Sequence, residues 1–185
     1  MYKTVQINSS NANDDKELKE LYETSFPDIE RISYEELINL VGSMNIDFTA
    51  FYEEEKLIGF WVVNRLKRLN YGLFLAVSEK LRGKGIGQKL LTLLIDTYTK
   101  EKKPLLGEVE SPSQLEAPNI EIRKRRYAFY MRNKVKDTGR TYTYKGVLYN
   151  ILTTGNEPFT EEDFEEIVDS FRQILEKGDK NKEKK

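Results

Sequence analysis

Apolar residues recur every three or four positions in five stretches of the chain, with compact apolar runs between them. The first run, YKTVQI at 2–7, reads as a short strand. Across 13–26, Leu18, Leu21, Tyr22 and Phe26 fall near helical spacing, with Asn13 or Asp14 as the cap and Pro27 as the stop. A second amphipathic helix spans 33–43. It turns Leu37, Leu40 and Val41 inward, starts from Ser33 and carries Gly42 near its end. Then 47–54 and 56–66, joined around Glu54 and Glu55, predict a hairpin, and 70–78 the next strand. A helix over 85–100 places Ile86, Leu90, Leu91, Leu94, Ile95 and Tyr98 on its buried side. A strand over 104–110 leads through a polar loop, 111–119, to a helix over 120–133. The β-branched and aromatic run 139–154 predicts a strand pair. The last helix, 160–178, starts at Thr160 with acidic residues in its first turn and stops at Gly178, before a charged tail expected to be disordered.

The length, 185 residues, fits one domain with an appended element: a domain over 1–155, the helix 156–178 packed on it, and the tail 179–185. Net charge is -1, with 30 basic and 31 acidic residues, so nothing drives the whole chain toward nucleic acid or a membrane surface. No stretch approaches the ~20 apolar residues of a membrane span, and the start lacks a signal peptide's apolar core; a soluble cytoplasmic protein is expected. The chain contains neither Cys nor His. Disulfides, thiolate nucleophiles, Cys/His zinc sites and imidazole triads are therefore excluded. Acid–base work falls to carboxylates, tyrosine, lysine or water. A carboxylate-only metal site stays possible, but no loop shows calcium-ligand spacing, and no metal is expected.

One joint stands apart. In LAVSEKLRGKGIGQKLL, residues 75–91, an apolar strand runs into an apolar helix through Gly83, Gly85 and Gly87, with Arg82 and Lys84 among them. The first amides of a helix lack internal partners and sit at its positive end. Glycines let a phosphate approach that backbone closely, and two cations add charge. The joint thus reads as a cradle for a pyrophosphate. It has neither the order of a Walker loop nor a dinucleotide fingerprint, since Gln88 and Leu90 stand where further glycines would be needed.

These residues resemble the acetyl-CoA motif of the GNAT superfamily of N-acetyltransferases, [Arg/Gln]-x-x-Gly-x-[Gly/Ala], here Arg82 to Gly87. The resemblance covers residues 2 to 150 in its order of elements. It implies an α/β (α+β) fold, a mixed and mostly antiparallel sheet flanked by helices, here with an extra C-terminal helix. It also implies acetyl-CoA as co-substrate. The amides of Arg82, Gly83, Lys84, Gly85, Ile86 and Gly87 would hold the pyrophosphate. Leu75, Ala76 and Val77 would pair with the pantetheine arm where two strands splay. An amide near Val77 would polarise the thioester, and Gln88 and Arg123 would reach the cofactor.

The pair Phe129-Tyr130 resembles the family's aromatic-tyrosine pair, with Lys134-Val135 where Gly-Phe is usual. Tyr130 would then be the acid for the leaving thiolate, while Tyr127 reads as core. An alkylamine acceptor, less than ~0.1% free base at pH 7, needs help losing its proton. Glu108 and Glu110 lie on one face of the strand 104–110 and are the candidate bases, Glu110 ahead because it ends the strand at the loop. The acceptor, a primary amine on a small molecule or peptide, would be walled by residues 27–36, the 111–119 loop and the 139–154 strand pair, with Glu30, Arg31, Glu35, Tyr142, Tyr144 and Tyr149. The last helix packs on the domain or mediates a homodimer. Two rivals remain: a GNAT-fold protein that binds CoA without catalysis, and an interaction module using RKRRY, 123–127.

Overall fold

A computed structural model describes residues 2–28 and 30–182, with the side chains of the last helix described as far as Leu175. Strand β1 (Lys3–Gln6) is followed by α1 (Lys16–Ser25) and α2 (Tyr34–Ser43). The α1 cap is Asp15, whose carboxylate accepts from the Leu18 amide at 2.9 Å, one residue beyond the expected Asn13 or Asp14. Asp15 has extended backbone directly before the helix, the position from which a side chain reaches the third helical amide. Ser33 caps α2 as expected, and Glu36 answers it from the third helical position to complete a capping box.

Strands β2 (Ile46–Glu53) and β3 (Lys56–Arg65) form the hairpin, and Glu54 and Glu55 take positive φ in its two-residue turn. Strand β4 (Asn70–Val77), α3 (Ile86–Thr99), β5 (Leu105–Glu110) and α4 (Ile120–Arg132) follow. The final strand pair is β6 (Lys136–Tyr144) and β7 (Val147–Thr153). The seven strands form one sheet in the order β1-β2-β3-β4-β5-β7-β6. Every neighbouring pair is antiparallel except β4 and β5. The mixed, mostly antiparallel sheet flanked by helices is therefore as the sequence predicts.

Helices cover both faces. One face buries Phe48, Phe60 and Val62 against Leu18, Tyr22 and Leu37 of α1 and α2. The other buries Phe51, Trp61 and Val63 against Leu90, Leu91 and Leu94 of α3. Helix α5 (Glu161–Lys182) lies on the α1–α2 face, where Ile167 joins Tyr71, Leu106 and Ile151, and Ile174 joins the α1–α2 cluster. Apolar burial holds it there, at about 1.5–3 kcal/mol for a fully buried side chain such as Ile167. The exposed ion pairs of Arg68 with Glu162 and Asp163 are screened by solvent and add little. The expected stop at Gly178 is not observed, because α5 continues to Lys182. A glycine weakens an exposed helix interior by only about 1 kcal/mol and does not end it unless a left-handed turn follows. The end of the expected tail, 183–185, lies outside the described residues.

Candidate active site

The pairing between β4 and β5 is short. Asn70, Tyr71 and Gly72 match Leu105, Leu106 and Gly107, and no pair follows. Both strands continue, β4 to Val77 and β5 to Glu110, but they diverge. Leu75, Ala76 and Val77 keep their bonds to β3 while their other edge is left without a strand. A cavity of about 1060 Å³ opens at this splay. It is lined from one face by α4 and from the other by the α1–α2 segment, the β6–β7 hairpin and α5.

The glycine joint lies at the end of β4. A single 3-10 turn, Glu79–Leu81, precedes it. Gly83 and Gly85 have φ of +77° and +78°, in the left-handed region that a side chain disfavours. Gly85 is the residue before α3, and it offers no side-chain cap. The amides from Gly83 through Gln88 donate to no partner among the described residues. Gly87 has ordinary helical geometry; a Cβ there would rest 3.6 Å from the Phe129 ring. Lys84 is exposed, Ile86 packs partly into the α3 cluster, and the Arg82 side chain lines the cavity and donates to the Val77 carbonyl at 3.3 Å. A run of free amides at a positive helix end, beside an unpaired strand edge, can seat a phosphate-bearing chain that continues into the splay.

Tyr130 reaches the cavity from α4 and packs edge-to-face on Phe129, with ring centroids 5.3 Å apart. Burial raises its pKa above the phenol value, so it holds its proton at neutral pH. Tyr127 instead donates to Asp137 at 2.8 Å and ties α4 to β6. Lys134 takes a φ of +64° just past α4, which accounts for a glycine being usual there, and Val135 is buried behind it.

Glu108 and Glu110 both line the cavity, but their partners differ. Glu108 accepts from the Tyr71 hydroxyl at 2.7 Å and from the Tyr142 hydroxyl. Burial raises its pKa, and the two tyrosine bonds act against that rise. Glu110, only 6% exposed, is held by Arg123 at 2.9 Å and by Arg126 at 2.9 Å, and Asn119 donates to it as well. Both of its oxygens are committed to cations, so the charge of Glu110 is engaged in seating α4, and Glu108 is the one of the two expected bases without a cationic partner among the described residues.

Arg123 is engaged in the same way. It is 4% exposed and turned inward, donating to Asn119 and Gln114 at 2.7 Å each besides its pair with Glu110. Its guanidinium is engaged inside the seat of α4; of the rest of RKRRY, Arg126 is bound to Glu110, Lys124 to Glu121, and Arg125 lines the cavity. In loop 111–119, Asn119 and Gln114 bond to this Glu110–Arg123 clamp, Gln114 also bonds to the β6–β7 hairpin, and no residue of the loop lines the cavity.

Other groups converge on the splay. Tyr149 donates to Glu30 at 2.9 Å, and its ring stacks on Tyr142 with centroids 5.5 Å apart. Burial raises the Glu30 pKa. Arg31 and Tyr144 also line the cavity, whereas Glu35 does not. Sequence reasoning did not find Tyr71 or Arg126. Their roles arise from the parallel β4–β5 register and from the seat of α4, and neither leaves a local spacing to read. Among the described residues, no three His, Cys, Asp or Glu side chains gather as metal ligands, and no helix is long and apolar enough to cross a membrane.

The family described as "Acetyltransferase (GNAT) family" matches residues 15–115. A protein described as a GNAT-family acetyltransferase from Bacteroides thetaiotaomicron is similar over 94% of this chain and 97% of its own, with 25% identity and a TM-score of 0.74. An aminoglycoside 6'-N-acetyltransferase solved with coenzyme A covers 85% of this chain and 99% of its own, with 14% identity and a TM-score of 0.64. Arabidopsis thaliana NAA60, solved in complex with acetyl-CoA, covers 83% of this chain and 97% of its own, with 18% identity and a TM-score of 0.60. The last two speak to the fold alone. No curated protein matches the chain by sequence.

Proposed function

The chain belongs to the GNAT acetyltransferase family, and from that premise we propose that it transfers an acetyl group from acetyl-CoA to a primary amine at the β4–β5 splay. The observation that carries this reading is the opposed placement of an acid and a base. Tyr130 enters the cavity from α4 on one sheet face, while Glu108 sits with Tyr71 and Tyr142 toward α5 on the other.

The free amides of 83–88 and the open edge of Leu75, Ala76 and Val77 would hold the donor. When bound there, acetyl-CoA supplies the acetyl group as a thioester. Glu108 takes up the proton that an ammonium must lose before its nitrogen can attack. Its raised pKa suits that task better than an ordinary exposed carboxylate would. Tyr130 keeps its phenolic proton at neutral pH and offers it, by transfer or hydrogen bond, to a thiolate leaving on the α4 side. The remaining rate enhancement comes from holding two reactive groups together, where effective molarities reach the order of 10⁵ M or more.

Glu108→Gln keeps the shape of the site and removes the base. It is expected to lower kcat for amine acetylation by about 10²-fold or more while leaving acetyl-CoA affinity within about twofold. Steady-state kinetics beside calorimetric titration reads both. A kcat equal to that of the unmodified protein would remove Glu108 from the mechanism.

A further inference from the structure

The cavity is wider than the acid–base pair needs, and its outer wall is α5. Residues 168, 171, 172 and 175 of that helix all line it, at one-face helical spacing. Val168 and Leu175 are 38% and 47% exposed, unusually open for apolar side chains beside a buried acidic cluster. Phe171 lies between them, edge-on to Tyr71 at 5.6 Å. Leu73, Phe74 and Phe26 also line the cavity, the last two with ring centroids 4.8 Å apart. The cavity that holds Glu108 is therefore lined by apolar side chains from α5, from β4 and from the end of α1.

The charges sort in the same way. Glu108 and Glu30 are held by tyrosine hydroxyls, and neither has a Lys or Arg within ion-pair distance among the described residues. They are the unneutralised carboxylates at the floor, suited to an ammonium. The basic side chains of the two apolar walls are already engaged, Arg172 with Asp169 at 2.6 Å and Arg31 with Asp28. The cavity's other cations lie off these two walls: Arg82, Arg125 and the Glu110-bound Arg126 on the glycine joint and α4, the donor side, and Lys145 over the Tyr144 ring at the β6–β7 turn.

Building on the acetyl-transfer reading above, we infer that the acceptor is a primary amine carried on an uncharged alkyl or aryl group. Its ammonium lies between Glu30 and Glu108, and its apolar body lies against the 168/171/175 face of α5. Helix α5 is then the element that selects the acceptor.

The test uses the full chain with CoA present. 2-Phenylethylamine is compared with ethanolamine and putrescine, by calorimetric binding and by acetylation, in the unmodified protein and in Leu175→Asp. Leu175 is exposed, so the substitution leaves the core intact. The expected result is binding of 2-phenylethylamine at least tenfold tighter than of the two polar amines. Leu175→Asp should weaken it at least tenfold with CoA affinity unchanged. Equal or tighter binding of ethanolamine or putrescine overturns the inference, as does no binding of 2-phenylethylamine. A Leu175→Asp protein that binds the amine normally but changes from dimer to monomer overturns it too, and assigns the face to a second copy. Amine that binds as expected without being acetylated leaves the inference standing and removes the transfer reading instead.

Discussion

Glu108 and Glu110 are two residues apart on β5, and their neighbours give them opposite chemistry. Glu110 is surrounded by guanidinium and amide donors, so its charge is used to hold α4. Glu108 meets only phenols, and burial raises its pKa. The Tyr71 bond favours the ionised form, so Tyr71→Phe should raise the Glu108 pKa further. The rising limb of the kcat/KM profile, which reports deprotonation of the base, should move to higher pH; an unmoved limb would separate Glu108 from that limb. The sign for stability follows from the same shift. The folded state binds the Glu108 proton more tightly than the unfolded chain does, so this group's contribution falls as pH rises from the unfolded pKa through the folded one. Alternation along a strand made both glutamates visible in the sequence, but not which one stays free. That choice depends on Tyr71, 37 residues away in the chain, and on Arg126 on a helix packed from the other face.

At the scale of elements, the glycine joint was legible because its constraint is local. Gly83 and Gly85 need positive φ wherever they stand, and the free amides follow from the start of any helix without a side-chain cap. The capping box at Ser33 was legible for the same reason. Helix α4 was legible as a helix but not in its rotation: an arginine-rich stretch reads as surface, yet Arg123 points inward to meet Glu110. The clamp sets the angle at which α4 presents Tyr130. Glu110→Ala would leave Arg123 charged and buried without its partner, which should cost roughly 3–5 kcal/mol of folding stability. Urea denaturation measures this. A loss below about 1 kcal/mol would mean that Arg123 and α4 find another seat.

At the scale of the whole molecule, β4 and β5 part after three residue pairs, and that opening in the sheet is where the two sides of the proposed reaction meet. The α3–α4 side carries the free amides and Tyr130; the α1–α2–α5 side carries Glu30, Glu108 and the apolar wall. The pattern of strands and helices forecast the sheet, while its gap was expected only through the family resemblance, because a splay is the absence of pairing between strands that each read normally. Helix α5 was foreseen as an appendage. Its part in closing the cavity rests on tertiary contacts such as the buried Asn64–Ser170 hydrogen bond of 2.7 Å, made across 106 residues of chain. Both sides of the account depend on the donor occupying the gap. The most direct measurement is calorimetric titration of the full chain with acetyl-CoA, with ATP as the control nucleotide, beside a Gly85→Val variant that strains the joint without touching the acceptor side. Stoichiometric binding of acetyl-CoA but not ATP, lost in Gly85→Val, is the predicted result; no binding of acetyl-CoA, or equal binding by the variant, would contradict it.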